Sequence, residues 1–206
     1  MTSVLTGDII NSAQYKDSAI WQNPLKTFLS RKGDTPRDWE IFQGDSFQLQ
    51  IPPPEALRTA FQAKAVIRQI KDLDIRIAIG LGTVHSDPGT ISEKTGVAFS
   101  RSGRLLDKIK KEKVHMAVGS MDPEFDAEMN MMLKLALLTI NNWTQNSAEI
   151  AELLLENPDL KQTDIGRKLG ITQSSVSERI QRGAVREILE LEQYYCKRIK
   201  RIGKTT

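Results

Sequence analysis

Two glycines four residues apart, within the stretch Gln162–Ile180, constrain the fold more than any other feature of the chain. Gly166 has no side chain, so two helices can approach closely at that position. Gly170 allows the positive φ of a turn that ends a helix. Apolar residues occupy the positions that face one another across such a crossing: Ile165, Leu169, Ile171, Val176 and Ile180. The pattern predicts two short helices that cross at a steep angle.

Two threonines, Thr163 and Thr172, are predicted to be the N-caps of these helices, because a threonine hydroxyl can accept from a free backbone N–H of the first turn. The predicted helices of this segment are Ser147–Glu156, Gln162–Gly170, Thr172–Arg182 and Ala184–Ile202. The last one has apolar residues at near-helical spacing. That apolar face fits either a dimer seam or packing into the core.

The second crossed helix is predicted to present polar side chains outward near its N-terminal end: Gln173, Ser174, Ser177 and Glu178. Glutamine and serine at such positions can hydrogen-bond base edges, as a recognition helix in the major groove requires. Basic residues surround that face and can neutralise phosphates: Lys168, Arg179, Arg182 and Arg186. The sequence therefore predicts a helix-turn-helix that binds double-stranded DNA. The alternative is a helical hairpin that packs on a protein partner.

The charge distribution agrees with a polyanionic partner for the C-terminal part. Residues 161–206 hold 11 Lys and Arg against 5 Asp and Glu, whereas the rest of the chain holds 18 against 21. An acidic body with a basic tail indicates that the tail meets the polyanion. A solvated surface is the alternative interpretation of the same asymmetry.

Up to about residue 120, short apolar runs alternate with helical patterns. The predicted elements are strands over Ser3–Ile10, Trp39–Phe42, Ser46–Ile51, Ile75–Val84 and Val114–Val118, with helices over Ala19–Ser30, Pro54–Asp72 and Gly103–Lys113. This mixture indicates an α+β fold with helices on one face of a sheet. After Pro123 only helical patterns follow, beginning with Phe125–Asn142. We therefore predict an α+β domain over residues 1–122, a connecting helix over 123–143 and an all-α domain over 144–206.

Two acidic residues lie at the ends of predicted strands. Asp8 ends the first strand, and Asp45 lies at a hairpin tip between Gly44 and Ser46. Paired carboxylates on neighbouring strands can hold Mg²⁺ or Mn²⁺, and Mg²⁺ in proteins usually brings phosphates with it. The alternative is turn chemistry, since Asp near a strand end often bonds its own backbone. A later segment, Gly96–Leu105, opens a helix and carries Arg104, which could meet a phosphate.

The order and spacing of these segments resemble the class III nucleotidyl cyclase domain, which is a ferredoxin-like α+β fold. The resemblance covers about residues 3–120. It implies that Asp8 and Asp45 bind two metals and that the adjacent Gly44 and Ser46 lie at the nucleotide phosphates. It also implies a site at a head-to-tail dimer interface.

A second part of this resemblance concerns the helix motif, in which the family has a glycine, then an asparagine four residues on, then an arginine four later. Here these positions hold Gly96, Ser100 and Arg104. Serine replaces the asparagine that orients the ribose, Ile41 stands where the family has its base-selecting lysine, and the other base contact falls near Glu93. The resemblance therefore implies nucleotide and phosphate binding through Ser100 and Arg104 rather than purine selection.

Residues 147–183 resemble the helix-turn-helix of bacterial transcriptional regulators, including the MarR and LuxR-like groups. The whole arrangement, with its G-D-I-x-N-S and F-x-G-D-S-F motifs, resembles the bacterial SatD family. These resemblances imply a homodimeric transcriptional regulator whose cyclase-like domain senses a nucleotide with Mg²⁺ or dimerises. The alternative is a divergent metal-dependent nucleotidyl cyclase or nucleotide-processing enzyme that its helical tail controls. A scaffold that binds only proteins is a third possibility.

The remaining sequence features predict a cytoplasmic protein that does not associate with membranes. Cys196 is the one cysteine, so an internal disulfide framework is ruled out. The N-terminal residues have no basic region and no long apolar region of a signal peptide. The longest apolar stretch, Met129–Ile140, is too short to span a bilayer. The two histidines, His85 and His115, lie far apart, which argues against a zinc site.

Overall fold

The computed structural model describes residues 1–42, 44–85 and 89–202, and within them it contains five strands and eight α-helices. The strands are β1 (Thr2–Ile10), β2 (Trp39–Phe42), β3 (Ser46–Ile51), β4 (Asp74–Gly82) and β5 (Met116–Gly119). The helices are α1 (Ala19–Ser30), α2 (Ala56–Arg68), α3 (Val97–Glu112), α4 (Pro123–Ile140), α5 (Gln145–Glu156), α6 (Gln162–Leu169), α7 (Gln173–Arg182) and α8 (Val185–Ile202). Gln43, part of the predicted hairpin tip, lies outside the described residues.

The strands form one mixed sheet in the order β2-β3-β1-β4-β5. The first four strands are antiparallel to their neighbours, and β5 runs parallel to β4. Because β1 lies at the centre of the sheet, Asp8 has neighbours on both sides, Ser46 on β3 and Arg76 on β4. The fold is therefore α+β, with the predicted metal residue near the middle of the sheet.

Helices cover both faces of the sheet, whereas the sequence predicts helices on one face only. On one face, Leu5 and Ile9 of β1 join the main core with residues of α1 and α2. On the other, Val4 packs with Ala98 and Phe99 of α3. The physical reason is that β1 is buried at successive positions rather than at alternate ones, which is typical of a strand with two covered faces.

The bounds predicted for α1, β2 and β3 are confirmed. Helix α2 is shorter than predicted. It begins at Ala56, after a 3₁₀ turn over Pro53–Glu55, and it ends at Arg68, before Asp72 with its positive φ of 59°. Helix α3 begins at Val97, six residues before the predicted start, directly after Gly96 with its φ of 141°.

Helix α2 is buried on nearly all sides, since Arg58 and Arg68 alone among its 13 residues are not buried. It packs on β4 and β1 on one side and on α5 on the other. One apolar cluster consequently runs from Leu5 of β1 to Ile199 of α8, across the predicted domain boundary.

The apolar face of α8 is core rather than an exposed seam. Val185, Ile188, Tyr195 and Ile199 are all buried within their own chain. Outward-facing apolar residues lie instead on α4, as described below. No helix in the described part of the chain is long and apolar enough to cross a membrane.

A buried ionic cluster joins α2 to the sheet. The fully buried Lys64 donates to Asp74 Oδ1 at 2.6 Å, and His115 Nδ1 lies 3.0 Å from Asp74 Oδ2. Burial lowers the pKa of Lys64 to about 8. Burial alone would raise the pKa of Asp74, but the hydrogen bond from His115 and the charge of Lys64 hold it below its usual value. Lys64 and Asp74 therefore form a charged pair at neutral pH.

Replacing Lys64 alone should destabilise the fold. Lys64→Met leaves the Asp74 carboxylate buried without its main cation, and we expect the free energy of unfolding to fall by about 3–5 kcal/mol. Urea unfolding at pH 7 measures this loss. Lys64→Met combined with Asp74→Asn removes both charges and should recover much of the loss. The interpretation would be contradicted if the double variant lost as much free energy of unfolding as Lys64→Met and Asp74→Asn lose separately, added together.

Candidate functional site

Helices α6 and α7 cross at the two glycines that stand out in the sequence. A Cβ atom on Gly166 would lie 2.8 Å from the backbone oxygen of Ile171, so no other residue fits there without a shift of the backbone. Gly170 has φ 66° and ψ 31°, in the left-handed region, and it ends α6. The Ile171 N–H then donates to the Gly166 carbonyl at 2.9 Å and closes the turn. The two predicted helices and the left-handed turn between them are thus present.

One of the two predicted N-caps is confirmed and the other is wrong. The Thr172 hydroxyl accepts from the Ser175 N–H and caps α7. Thr163 does not cap α6, because that helix begins one residue earlier, at Gln162, after Lys161 in an extended conformation. Thr163 therefore lies inside the first turn of α6, where its own backbone is already helical.

Apolar contacts hold the crossing in place. Ile165, Val176 and Ile180 are buried, and Leu169 and Ile171 pack against the same cluster. Helix α5 contacts α7 and forms the third wall. The Thr144 hydroxyl caps α5 by accepting from the Ser147 N–H. Because its inner side is packed against these neighbours, α7 directs its polar side away from the body.

The predicted base-contacting residues all lie on that outward side. Gln173, Ser174, Ser177 and Glu178 are exposed. The Gln173 side-chain amide donates to the side-chain oxygen Oε1 of Gln162, so the Gln173 side chain is held beside α6. The first two turns of α7 thus form an exposed polar surface of amide, hydroxyl and carboxylate groups.

The predicted phosphate-binding cations differ in their surroundings. Lys168 is exposed at the end of α6 and has no ion pair within 4.0 Å in the described residues. Arg182 is bound to Glu178 one turn earlier on α7. Arg179 is half-buried and lies 3.5 Å from Glu149 of α5. Arg186 is exposed on α8. Arg179 therefore ties α7 to α5, whereas Lys168 faces solvent.

Asp8 is buried on the face of the sheet that α3 covers, with 8% of its surface exposed. Its Oδ2 accepts from Arg76 at 3.1 Å and lies 3.8 Å from the Lys110 ammonium of α3. Its Oδ1 is buried and has no hydrogen-bond partner in the described residues. One carboxylate oxygen thus lies beside two cations, and the other is buried without a hydrogen-bond partner in the described residues.

Asp45 lies close enough to Asp8 to affect its ionisation. Burial raises the pKa of Asp8, the charges of Lys110 and Arg76 oppose the rise, and the charge of Asp45 adds to it. Asp45 Oδ2 accepts from the Ser12 hydroxyl at 2.6 Å, and its backbone oxygen accepts from the Ile9 N–H at 3.1 Å. The two carboxylates predicted from the sequence as a pair are therefore neighbours.

The hairpin residues Gly44 and Ser46 flank this pair. Gly44 is exposed and has a φ of 85°, which favours glycine. Ser46 is half-buried and lies opposite Asp8 in the strand register. Their backbone and hydroxyl groups thus lie at the edge of the acidic pair.

The donor set fits one hydrated divalent cation better than two. Mg²⁺ is commonly held by one or two carboxylates and keeps several waters. The unpartnered Asp8 Oδ1 beside Asp45 fits this description. A group of three or more His, Cys, Asp or Glu that could hold a metal is not found among the described residues. A second cation would also face the positive charges of Arg76 and Lys110.

Ser100 and Arg104 do not lie beside the acidic pair within one chain. Both are exposed, the Ser100 hydroxyl donates to the Val97 carbonyl, and Arg104 Nε donates to the Ser100 carbonyl at 3.2 Å. Arg104 lines a cleft of about 550 Å³ between α3 and α4, together with three other cations, Arg101, Lys108 and Lys134. Lys110, on a different flank of α3, is the cation that reaches Asp8.

The positions that correspond to purine selection have structural partners. Ile41 lies opposite Phe47 in the β2–β3 register and packs against the core. Glu93 accepts from the Thr90 N–H at 2.9 Å and completes a capping box. Neither side chain therefore extends toward a bound base.

Three charged residues with buried ionic contacts were missed at the sequence level, two beside Asp8 and one, Lys64, on the opposite face of the sheet. Arg76 and Lys110 were not predicted, because each meets Asp8 only through strand pairing or helix docking. Lys64 was missed because a lysine within a helix is ordinarily solvated. The signal that could have found it is its position between Ala63 and Ala65 in a nearly apolar run.

Comparisons with known proteins give one result. No match is found among the curated proteins. The sequence model of the SatD family matches residues 3–195, which is nearly the whole chain and includes both the acidic pair and the α6–α7 crossing. The chain therefore belongs to the SatD family.

Proposed function

We propose that this protein is a DNA-binding transcriptional regulator that uses α7 as its recognition helix. The observation that carries the proposal is the exposed polar surface at the start of α7, next to the exposed Lys168. Glutamine and serine side chains at the start of a helix can read base edges when that helix lies in the major groove. Lysines and arginines beside them position the protein by contacting phosphates.

The packing beneath α7 supports this proposal. A crossing that requires Gly166, a turn at Gly170 and a buried apolar set are the features of a helix-turn-helix. The Arg179–Glu149 ion pair holds α7 on α5. Because Arg179 is engaged with another helix, we assign phosphate contacts first to Lys168, and then to the exposed Arg167 beside it, whose ion pair with Asp164 lies within α6.

Two substitutions should separate phosphate contact from base reading. Lys168→Gln is expected to weaken binding to every duplex alike and to reduce the slope of log affinity against log salt by about 0.9. Gln173→Ala is expected to lower the preference for a selected site, by about 1–3 kcal/mol, and to leave the salt slope unchanged. Fluorescence anisotropy with a mixed duplex pool, and then with duplexes selected from it, measures both effects.

The matched control is Lys26→Gln, because Lys26 is exposed on α1, outside the proposed interface. It should bind DNA like the wild type. A wild-type protein with no affinity for any duplex pool at low salt would overturn the proposed function. An unchanged salt slope in Lys168→Gln would remove Lys168 from the interface.

The N-terminal part is proposed to be a ferredoxin-like, cyclase-type sensory or dimerisation domain. Its run β1-α1-β2-β3-α2-β4 and its strand order β2-β3-β1-β4 support this, since a ferredoxin-like domain has that arrangement. The fifth strand and α3 extend the sheet at one edge.

A homodimer is proposed through the exposed apolar face of α4. Met131, Leu135 and Leu138 lie on one side of this helix and are 59%, 63% and 71% exposed. Beside them a mainly apolar groove of about 640 Å³ runs between α4 and α8, with Glu187 and Glu190 in its lining. Lys134 lies on the same exposed side of α4. A second copy related by twofold symmetry would place the exposed apolar face of each α4 against the groove of the other copy. It would also bring Lys134 of one copy near Glu187 and Glu190 of the other.

A charged residue in the exposed apolar face of α4 should separate the dimer. Leu135→Glu is expected to convert a dimer to a monomer, because it places a carboxylate in an apolar seam beside Glu187 and Glu190. Analytical ultracentrifugation measures the molecular mass. Ile20→Glu is the matched control, since Ile20 is a 45% exposed apolar residue on α1. A wild type that is monomeric at all concentrations, or an equal effect of both variants, would contradict this interface.

A second candidate function is metal-dependent nucleotide chemistry at the acidic pair. The observation in its favour is the buried, unpartnered Oδ1 of Asp8 next to the Asp45 carboxylate. We propose that these carboxylates hold Mg²⁺ or Mn²⁺, which would bind a nucleotide through its phosphates. In a regulator the nucleotide is an effector, and in the alternative a cyclase or nucleotide-processing enzyme acts on it. Within one chain Ser100 and Arg104 are exposed and bonded to their own helix, so they would contribute to this nucleotide site only from the second copy of the dimer.

One experiment distinguishes the effector from the substrate. Calorimetry with Mg²⁺ or Mn²⁺ and each nucleoside triphosphate should show binding, and Asp45→Asn should weaken it by at least about tenfold. Chromatography of the same mixtures detects products. Asp107→Asn, an exposed carboxylate on α3, is the control. Binding without turnover indicates an effector, and turnover that Asp45→Asn abolishes indicates an enzyme. Identical binding in both variants would contradict the site.

A further inference from the structure

A separate cleft of about 320 Å³ lies where α1, α2 and α5 meet. Phe28 of α1 and Lys32, two residues after that helix ends, line one side of the cleft. Glu55, just before α2, and Thr59 of α2 line another side, and Leu155 of α5 lines the third. This cleft is on the other side of the sheet from Asp8, since α1 and α2 cover the face opposite to α3. Its volume is at the lower end of the range for small-molecule sites.

Most of the charges in the cleft are already paired. Arg31 lies 3.1 Å from both Glu152 and Glu156 of α5. Arg58 lies 2.7 Å from the buried Glu192 of α8. These ion pairs connect the walls to one another. They leave two lining charges of opposite sign, on Lys32 and Glu55, without an ion pair in the described residues.

Lys32 and Glu55 are near one another without touching. No ion pair within 4.0 Å joins them, although the charge of Glu55 raises the pKa of Lys32 against the larger lowering effect of burial. The Lys32 ammonium lies 5.5 Å from the centre of the Phe28 ring, which forms part of the floor. The lining therefore includes one cation and one anion, Lys32 and Glu55, that are not ion-paired in the described residues.

Polar atoms beneath the same walls also have no partner. Thr59 Oγ1, Gln62 Oε1 and Arg58 Nε are buried and have no hydrogen-bond partner in the described residues. Thr59 and Gln62 are 1% and 5% exposed. Buried polar groups in native proteins nearly always have partners. All three atoms belong to residues that line the cleft.

We propose that this cleft binds a small zwitterion of the size of a free amino acid, with its carboxylate on Lys32 and its ammonium on Glu55. The Thr59 hydroxyl and the Arg58 Nε–H, which are donors, belong to residues that line the same cleft. Gln62 Oε1 is an acceptor for an N–H group. Phe28 and Leu155 supply apolar surface for the carbon atoms of the ligand.

The site is distinct from the acidic pair and does not require DNA binding. Because α5 forms one wall and also contacts α7, an occupant connects α1 and α2 to the helix on which α7 packs. The ligand is thus placed to stabilise the folded arrangement of these helices by mass action.

Calorimetry of the full chain with the standard free amino acids, in the absence of DNA and metal, tests the proposal. At least one amino acid should bind with one-to-one stoichiometry. Its two one-charge analogues, the same carbon skeleton without the amine or without the carboxylate, should bind at least about tenfold more weakly. Lys32→Met and Glu55→Gln should each weaken the binding of the amino acid by a similar factor.

The control is Lys26→Met, which removes an exposed lysine of α1 outside the cleft and should bind like the wild type. Thermal unfolding with and without the amino acid checks that the variants fold, and a rise in Tm is expected for the wild type and the control alone. Absence of saturable binding by every amino acid would overturn the proposal. Equal binding of the carboxylic acid analogue, or unchanged binding by both cleft variants, would also overturn it.

Discussion

Helix α2 is packed on two sides, between the sheet and the C-terminal helices, and its buried polar residues must therefore find partners on both. Lys64 reaches Asp74 of β4, and Gln62 donates to the Leu155 carbonyl of α5 at 3.1 Å. Four alanines in α2 let the two layers approach closely. Buried polar groups without partners are costly, so these contacts are directional as well as stabilising. They set the position of α5, and through it that of α7, relative to the sheet.

This arrangement gives the proposed sites one connected framework. Arg68 of α2 donates to the Trp143 carbonyl, and the Trp143 indole donates to the Gly183 carbonyl at 2.8 Å, just after α7. Gln145 at the start of α5 donates to the Gln69 carbonyl. Contiguous packing and hydrogen bonding of this kind can couple a ligand near α2 to the orientation of α7, the proposed recognition helix.

The acidic pair illustrates how far sequence reasoning reaches into a site. Two aspartates at the ends of adjacent strands are neighbours because antiparallel pairing brings those ends together. The partners of Asp8 could not be predicted in the same way. Arg76 is opposite it only in the observed register of β1 with β4, and Lys110 reaches it only because α3 docks on that face. Arg104, predicted from its spacing after Gly96, lies on another flank of the same helix.

The sequence by itself determined the elements that short-range chemistry controls: the hairpin at Gly44, the left-handed end of α6 at Gly170 and the N-cap of α7 at Thr172. Each depends on backbone conformations and hydrogen bonds within a few residues. Only the tertiary structure decided that both faces of the sheet are covered, that Lys64 is buried and that Lys32 and Glu55, which are not ion-paired, line one cleft. Those features depend on residues far apart in the chain, and the free energy of burying them is set by the docking of whole helices rather than by local propensity.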